Sequence, residues 1–152
     1  MRPSVDTVTQ SLQQLLAGSE VAESESVGVL GFGVDVVEID RISKAVERHP
    51  QRFAQRVLVR SEWERLELDA EPSRYLAKQF AAKEAVAKAL GTGIAQGVTF
   101  HQMHVLRDAL GAPYVELFGV AARRCQWLGG RCVRLSITDE RQWAIAAAVL
   151  TS

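Results

Sequence analysis

Apolar positions follow several different rhythms along this chain, and each change of rhythm marks an element. The run VGVLGFGVDVV, residues 27–37, is β-branched and glycine-rich and predicts a buried strand. EIDRISKAVERH then shifts to helical spacing, with Ile39, Ile42 and Val46 on one face and a stop at Pro50. A short helix is expected around SEWERLEL, with Ser61 as its N-cap and Glu64 three residues on. The longest helical stretch runs from Pro72, suited to a first turn, to Leu90, with Gly91 as the stop. MHVLRD and PYVELFG flank ALGA as a hairpin, VAARRCQWLGG reads as a helix ended by glycines, and RCVRLSITD and QWAIAAAVL read as two strands either side of ERQ. This order predicts an α+β fold, a mostly antiparallel sheet packed on one long helix.

Residues 1–26 break the pattern, being polar and rich in Ser, Glu and Gln. Within them Val5, Val8, Leu12, Leu15 and Leu16 are spaced for one face of a short helix, and Gly18 to Ser26 reads as linker. The expected organisation is an N-terminal appendage, 1–26, followed by a single domain, 27–152. Eighteen basic residues balance eighteen acidic ones, so long-range attraction to nucleic acid is not expected. Neither a leader peptide nor eighteen consecutive apolar residues can be found, so no membrane association is expected. Cys125 and Cys132 stand seven apart, match neither a zinc nor a redox pattern, and point to reduced thiols in the cytoplasm.

The chemistry concentrates in KQFAAKEAVAKALGTG, residues 78–93, where an alanine-rich helix carries Lys83, Glu84 and Lys88. Leu76, Phe80, Glu84 and Lys88 form one i, i+4 row that begins apolar and ends charged; Ala77, Ala81, Ala85 and Ala89 form a neighbouring row of small side chains for close packing. A solvated Glu–Lys pair would account for the charges alone. The exit LGTG changes that reading, because two glycines let backbone approach a ligand closely, and phosphate is the usual ligand of such a loop. A phosphate at a helix C-terminus meets the unfavourable end of the dipole and needs a cation, supplied by Lys88 or a metal. Alternation along GFGVDVVEID puts Gly31, Gly33 and Asp35 on one strand face, so Asp35 points to a side cleared by glycine. With Asp35 and Glu84 as oxygen ligands and waters and substrate phosphates completing an octahedron, the expected ion is magnesium.

GFGVDVVEIDRI and FAAKEAVAKALGTG, about fifty residues apart, together with LGAPYVEL and SITDERQWAIAAAVL, resemble the holo-(acyl-carrier-protein) synthases, the small 4'-phosphopantetheinyl transferases. The likeness runs from about Gly28 to Leu150. It implies the phosphopantetheinyl transferase fold and transfer of 4'-phosphopantetheine from coenzyme A to a serine of an apo acyl carrier protein, leaving 3',5'-ADP. It also implies magnesium held by Asp35 and Glu84, phosphate charge neutralised by Lys88, and Gly91, Thr92 and Gly93 against the coenzyme. Ser73 and Arg74 are implied near its nucleotide end. Arg41, extended by Arg48 and Arg52, is implied to meet the acidic carrier protein, and a homotrimer with sites between subunits is implied as the assembly. The same likeness places the chain in fatty-acid or secondary-metabolite synthesis.

Two positions depart from the family pattern. Gln79 stands where many members have arginine, and Asp139 where many have histidine, which changes the phosphate and nucleotide contacts expected there. His49, His101 and His104 have no metal-like spacing, and Trp63, Trp127 and Trp143 read as core or subunit contacts. A second class of function is a non-catalytic subunit that keeps the fold and binds coenzyme A; loss of Asp35, Glu84 or Lys88 would favour it, and all three are present.

Overall fold

Strand β1 (Val29–Glu38) runs antiparallel to the last strand of the chain, so the beginning and end of the described polypeptide lie side by side. The computed structural model describes residues 28–152, and the expectations for residues 1–26 lie outside them. After β1 come α1 (Ile39–Arg48), α2 (Arg52–Val57), α3 (Arg60–Leu68) and the long α4 (Pro72–Ala89). A 3-10 turn (Phe100–Gln102) leads into the hairpin β2 (Met103–Arg107) and β3 (Pro113–Leu117), then α5 (Gly119–Trp127), β4 (Cys132–Glu140) and β5 (Trp143–Thr151). The five strands form one antiparallel sheet in the order β1-β5-β4-β3-β2. The expected α+β class and the long helix on the sheet are both present.

Small residues draw α4 onto the sheet. Ala81, Ala82, Ala85 and Ala89 on the helix and Ala144, Ala146 and Ala148 on β5 are all buried, so backbones approach closely across this layer. Gly31 and Gly33 extend the contact to β1: a Cβ at either would stand 2.0 Å from a helix carbonyl, of Ala89 or Ala85 respectively. Leu76, Val86, Leu90, Met103 and Leu150 fill the rest of the core.

Four expectations need correction. β1 is buried on one face only; Phe32, Val34 and Val36 on the other face are exposed, Phe32 by 62%. The segment after Pro50 forms a further helix, α2, too short to announce itself by periodicity. The N-cap of α3 is Val59 rather than Ser61, because the Glu62 carboxylate accepts the Val59 backbone N–H at 2.9 Å and draws the start two residues earlier. Trp127, expected as a core or subunit contact, is 75% exposed in the single chain, which excludes only the core.

Lys83 resolves the charge in the buried helix. Its ammonium, wholly buried, donates to Glu62 Oε2 (2.6 Å), Val57 O (2.7 Å) and Phe100 O (3.2 Å). Glu62 also accepts the Val105 N–H at 2.8 Å, so one ion pair ties α2, α3, α4, the 3-10 turn and β2 together. Burial pulls the Lys83 ammonium below the ordinary lysine value, and the Glu62 charge opposes that pull.

Candidate active site

The row on α4 grades as expected: Leu76 is buried, Phe80 and Glu84 are half-buried, and the Lys88 side chain is 46% exposed. Facing it, the inward positions of β1 are Gly31, Gly33, Asp35 and Val37. Because Gly33 lacks a side chain, the Ala85–Lys88 turn lies directly on the strand; a Cβ there would also meet the Lys88 Cβ at 2.8 Å. The glycine clearance therefore admits the helix rather than a ligand, and its consequence is to bring Lys88 to Asp35. Lys88 Nζ donates to Asp35 Oδ1 at 2.8 Å and to Val34 O at 2.9 Å.

Glu84 lies one turn before Lys88 on the same face. Burial, and then the neighbouring charge of Asp35, push its carboxyl above the ordinary carboxylate range, against the opposing pull of Lys88 and Arg56. A carboxylate whose ionisation is made costly by burial and by a second carboxylate nearby is suited to a further cation. No group of three His, Cys, Asp or Glu able to hold a metal occurs among the described residues, so a soft-ligand or all-protein cage is not formed here. Two hard oxygen donors fit magnesium, which is held through one or two carboxylates and completes its shell with water and phosphate.

Beyond Lys88 the helix exit folds back on itself. Gly91 and Gly93 adopt φ of 74° and 59°, and their N–H groups donate to Lys88 O (2.9 Å) and Ala87 O (3.1 Å). Thr92 Oγ1 donates to Gly93 O at 2.9 Å. Space stands open around the position a Gly93 Cβ would take, leaving the loop approachable. Arg124 of α5 donates to Leu90 O at 3.0 Å beside this loop, a contact 34 residues long that no local pattern signals.

Ser73 and Arg74 sit in the first turn of α4, about 21 Å along the helix from Lys88. Within one chain they are not brought to the Asp35 centre. Arg74 Nη1 donates to Asp139 Oδ2 at 2.9 Å, and Lys78 Nζ lies 3.2 Å from Asp139 Oδ1. Burial alone would raise the Asp139 carboxyl, but the hydrogen bonds from Arg74 and Lys78 outweigh it and hold it below the ordinary range. Asp139 therefore serves to orient two cations. Nearby is a cavity of about 260 Å³ lined by Arg65, Tyr75, Lys78, Gln79 and Arg107. Gln79 Oε1 is buried and has no hydrogen-bond partner among the described residues.

Arg41, Lys44 and Arg48 line a shallow groove on α1 together with Glu38 and Asp40, the latter paired with Lys44, and Arg48, Arg52, Phe53 and Arg56 line a second one that shares Arg48. Arg56 was not singled out by sequence, although its spacing from Arg52 would have found it. Its charge reaches Glu84, linking this second groove to the Asp35 centre. Of the histidines, His101 Nε2 lies 2.7 Å from Gln55 O and His104 packs on Phe118.

The family model described as the 4'-phosphopantetheinyl transferase superfamily matches residues 31–148. A holo-(acyl-carrier-protein) synthase of Vibrio parahaemolyticus is 51% identical over 126 residues, 83% of this chain and 100% of the relative. The solved structure of such a synthase from Neisseria meningitidis superposes with a TM-score of 0.75 at 38% identity, covering 81% of this chain and 98% of that one. That from Helicobacter pylori, in complex with coenzyme A, gives 0.69 at 30% identity and covers 78% and 98%. The match takes in β1, the four helices after it and the closing hairpin, and leaves out only the two ends; the chain belongs to the 4'-phosphopantetheinyl transferase superfamily.

Proposed function

We propose that this chain transfers the 4'-phosphopantetheine group of coenzyme A to a serine of an apo acyl carrier protein. The observation that carries the reading is the convergence of Asp35 with Glu84 and Lys88, the last 53 residues on in the chain, beside an open glycine loop. The serine oxygen forms a bond to the phosphorus that bears pantetheine. The bond from that phosphorus to the bridging diphosphate oxygen breaks, and 3',5'-ADP leaves with the electron pair. Phosphoryl transfer asks the protein mainly to align the nucleophile and place cations on phosphate oxygens.

Asp35 and Glu84 are the residues that would hold magnesium, which when bound neutralises diphosphate charge. Lys88, already held by Asp35 and the Val34 carbonyl, presents its remaining N–H to the phosphate. Glu84 accepts the serine proton at a carboxylate oxygen, directly or through a water. Gly91, Thr92 and Gly93 lie against the coenzyme. The basic face of Arg41, Arg48 and Arg52 receives the acidic carrier protein by charge complementarity.

We place the reaction in the cytoplasm and in fatty-acid synthesis, and the assembly as a homotrimer. The exposed apolar face of β1, Phe32, Val34 and Val36, with Trp143 on β5 beside it, supports an association that buries it. A neighbouring subunit would also bring a second Ser73–Arg74 end, with its cavity, to each Asp35 centre.

Weighing an apo carrier protein after incubation with coenzyme A, magnesium and this protein tests the reading. A phosphopantetheine mass gain is expected, with the rate in Asp35→Asn or Glu84→Gln reduced by about 10² or more. Full activity in both variants would remove the mechanism. Coenzyme A that protects against heat without any mass gain would favour the non-catalytic subunit.

A further inference from the structure

We propose that Arg124 is a positioning residue of the coenzyme site, holding the exit of α4 in the shape that receives the coenzyme. The inference rests on the transferase reading and adds to it a residue outside both signature motifs. The last carbonyls of a helix lack intrahelical partners and must be met by other groups. Here Val86 O is met by the Leu90 N–H, Ala87 O by those of Thr92 and Gly93, and Lys88 O by that of Gly91, all local contacts. Leu90 O, the first carbonyl past the helix, is met instead by Arg124 Nε at 3.0 Å, from a helix 34 residues away. A loop with two glycines at positive φ has much conformational freedom to lose, so a tie from outside it adds to the local hydrogen bonds in fixing its shape.

The tie is itself well held. The Arg124 guanidinium lies 4.4 Å from the centre of the Trp127 ring, and its own helix is anchored by buried Ala121 and Cys125. A Cβ at Gly91 would come within 3.5 Å of Arg124 Nη2, so the guanidinium is seated directly against the loop. Charge gives a second argument. The α4 C-terminus is the negative end of the helix dipole, and the Lys88 ammonium is engaged with Asp35 and Val34 O. Arg124 supplies a further positive charge at that end, where an anionic coenzyme must approach.

The position also explains a surface feature. Trp127, three quarters exposed, has one face against Arg124 and so reports on this loop from outside it.

Arg124→Met should raise KM for coenzyme A about tenfold, the loss of one hydrogen bond to a charged group, with kcat and KM for the carrier protein nearly unchanged. Arg124→Lys should recover part of the loss. Saturating coenzyme A with magnesium should change the tryptophan emission of the unsubstituted protein, and this change should be absent in Trp127→Phe. Unchanged KM for coenzyme A in Arg124→Met, or equal rises for both substrates, overturns the proposal. If Arg124→Met does not fold, emission unaffected by coenzyme A in the unsubstituted, active protein overturns it instead. An unsubstituted protein that adds no mass to any carrier sinks the transferase reading and this inference with it; an active one beside an unaffected Arg124→Met sinks this inference alone.

Discussion

Gly33→Ala should damage stability and activity together, because one methyl group has nowhere to go. Its carbon would sit 2.0 Å from Ala85 O, 2.7 Å from Ala89 N and 2.8 Å from the Lys88 Cβ, all parts of a helix that cannot swing aside as a side chain can. Since such contacts do not occur below 3.0 Å, β1 and α4 must part by about 1 Å. Overpacking of this kind costs about 1–3 kcal/mol. A gap of about 1 Å also forfeits up to half of the dispersion contact along the alanine layer. Against this, Gly→Ala removes about 0.4–1 kcal/mol of unfolded-state freedom. A net loss of about 3 kcal/mol and a fall in Tm of about 10 °C are expected. The same displacement separates Asp35 from Lys88, and a shift of about 1 Å at such a centre costs about 10² in rate. Gly111→Ala, in the β2–β3 turn, is the control: open space surrounds that position, so only the positive φ opposes the methyl, about 1–2 kcal/mol. Thermal unfolding followed by circular dichroism, with transfer assayed in parallel, measures both effects. A Gly33→Ala protein with unchanged Tm and rate would refute the close-packing argument.

Lys83→Met should cost about 3–5 kcal/mol in urea unfolding, because the Glu62 carboxylate, 1% exposed, is left buried without its cation; adding Glu62→Gln should return part of the loss. A loss under about 1 kcal/mol would mean the pair is unimportant to the fold. For Glu84, a carboxyl raised on folding favours the folded state while protonated, and that contribution is present below the unfolded value and fades as pH rises through the folded one. Metal-free Glu84→Gln should therefore melt above the unsubstituted protein at neutral pH, with the difference vanishing toward about pH 4. A lower Tm for the variant at pH 7 would show that Glu84 is stabilised, not strained, as an anion.

Elements whose cause is local were legible in the residues. The alanine row with Pro72 before it and Gly91 after it specifies α4, and the alternation in GFGVDVVEID puts Asp35 on the face with Gly31 and Gly33. The two signature stretches identify the family because they combine a strand carboxylate with a helix carboxylate and lysine at a set separation. The tertiary structure decided which charge does what. Lys83 and Lys88 lie five residues apart on one helix, yet one is buried on Glu62 and two backbone carbonyls, and the other is half-exposed on Asp35. Their rows on the helix differ, and only packing reveals what each row meets. Arg124 on Leu90 O and Arg74 on Asp139 were invisible for the same reason. A side-chain pairing spanning 34 or 65 residues leaves no period in the sequence, because its geometry is set by the sheet and helix that carry its two ends.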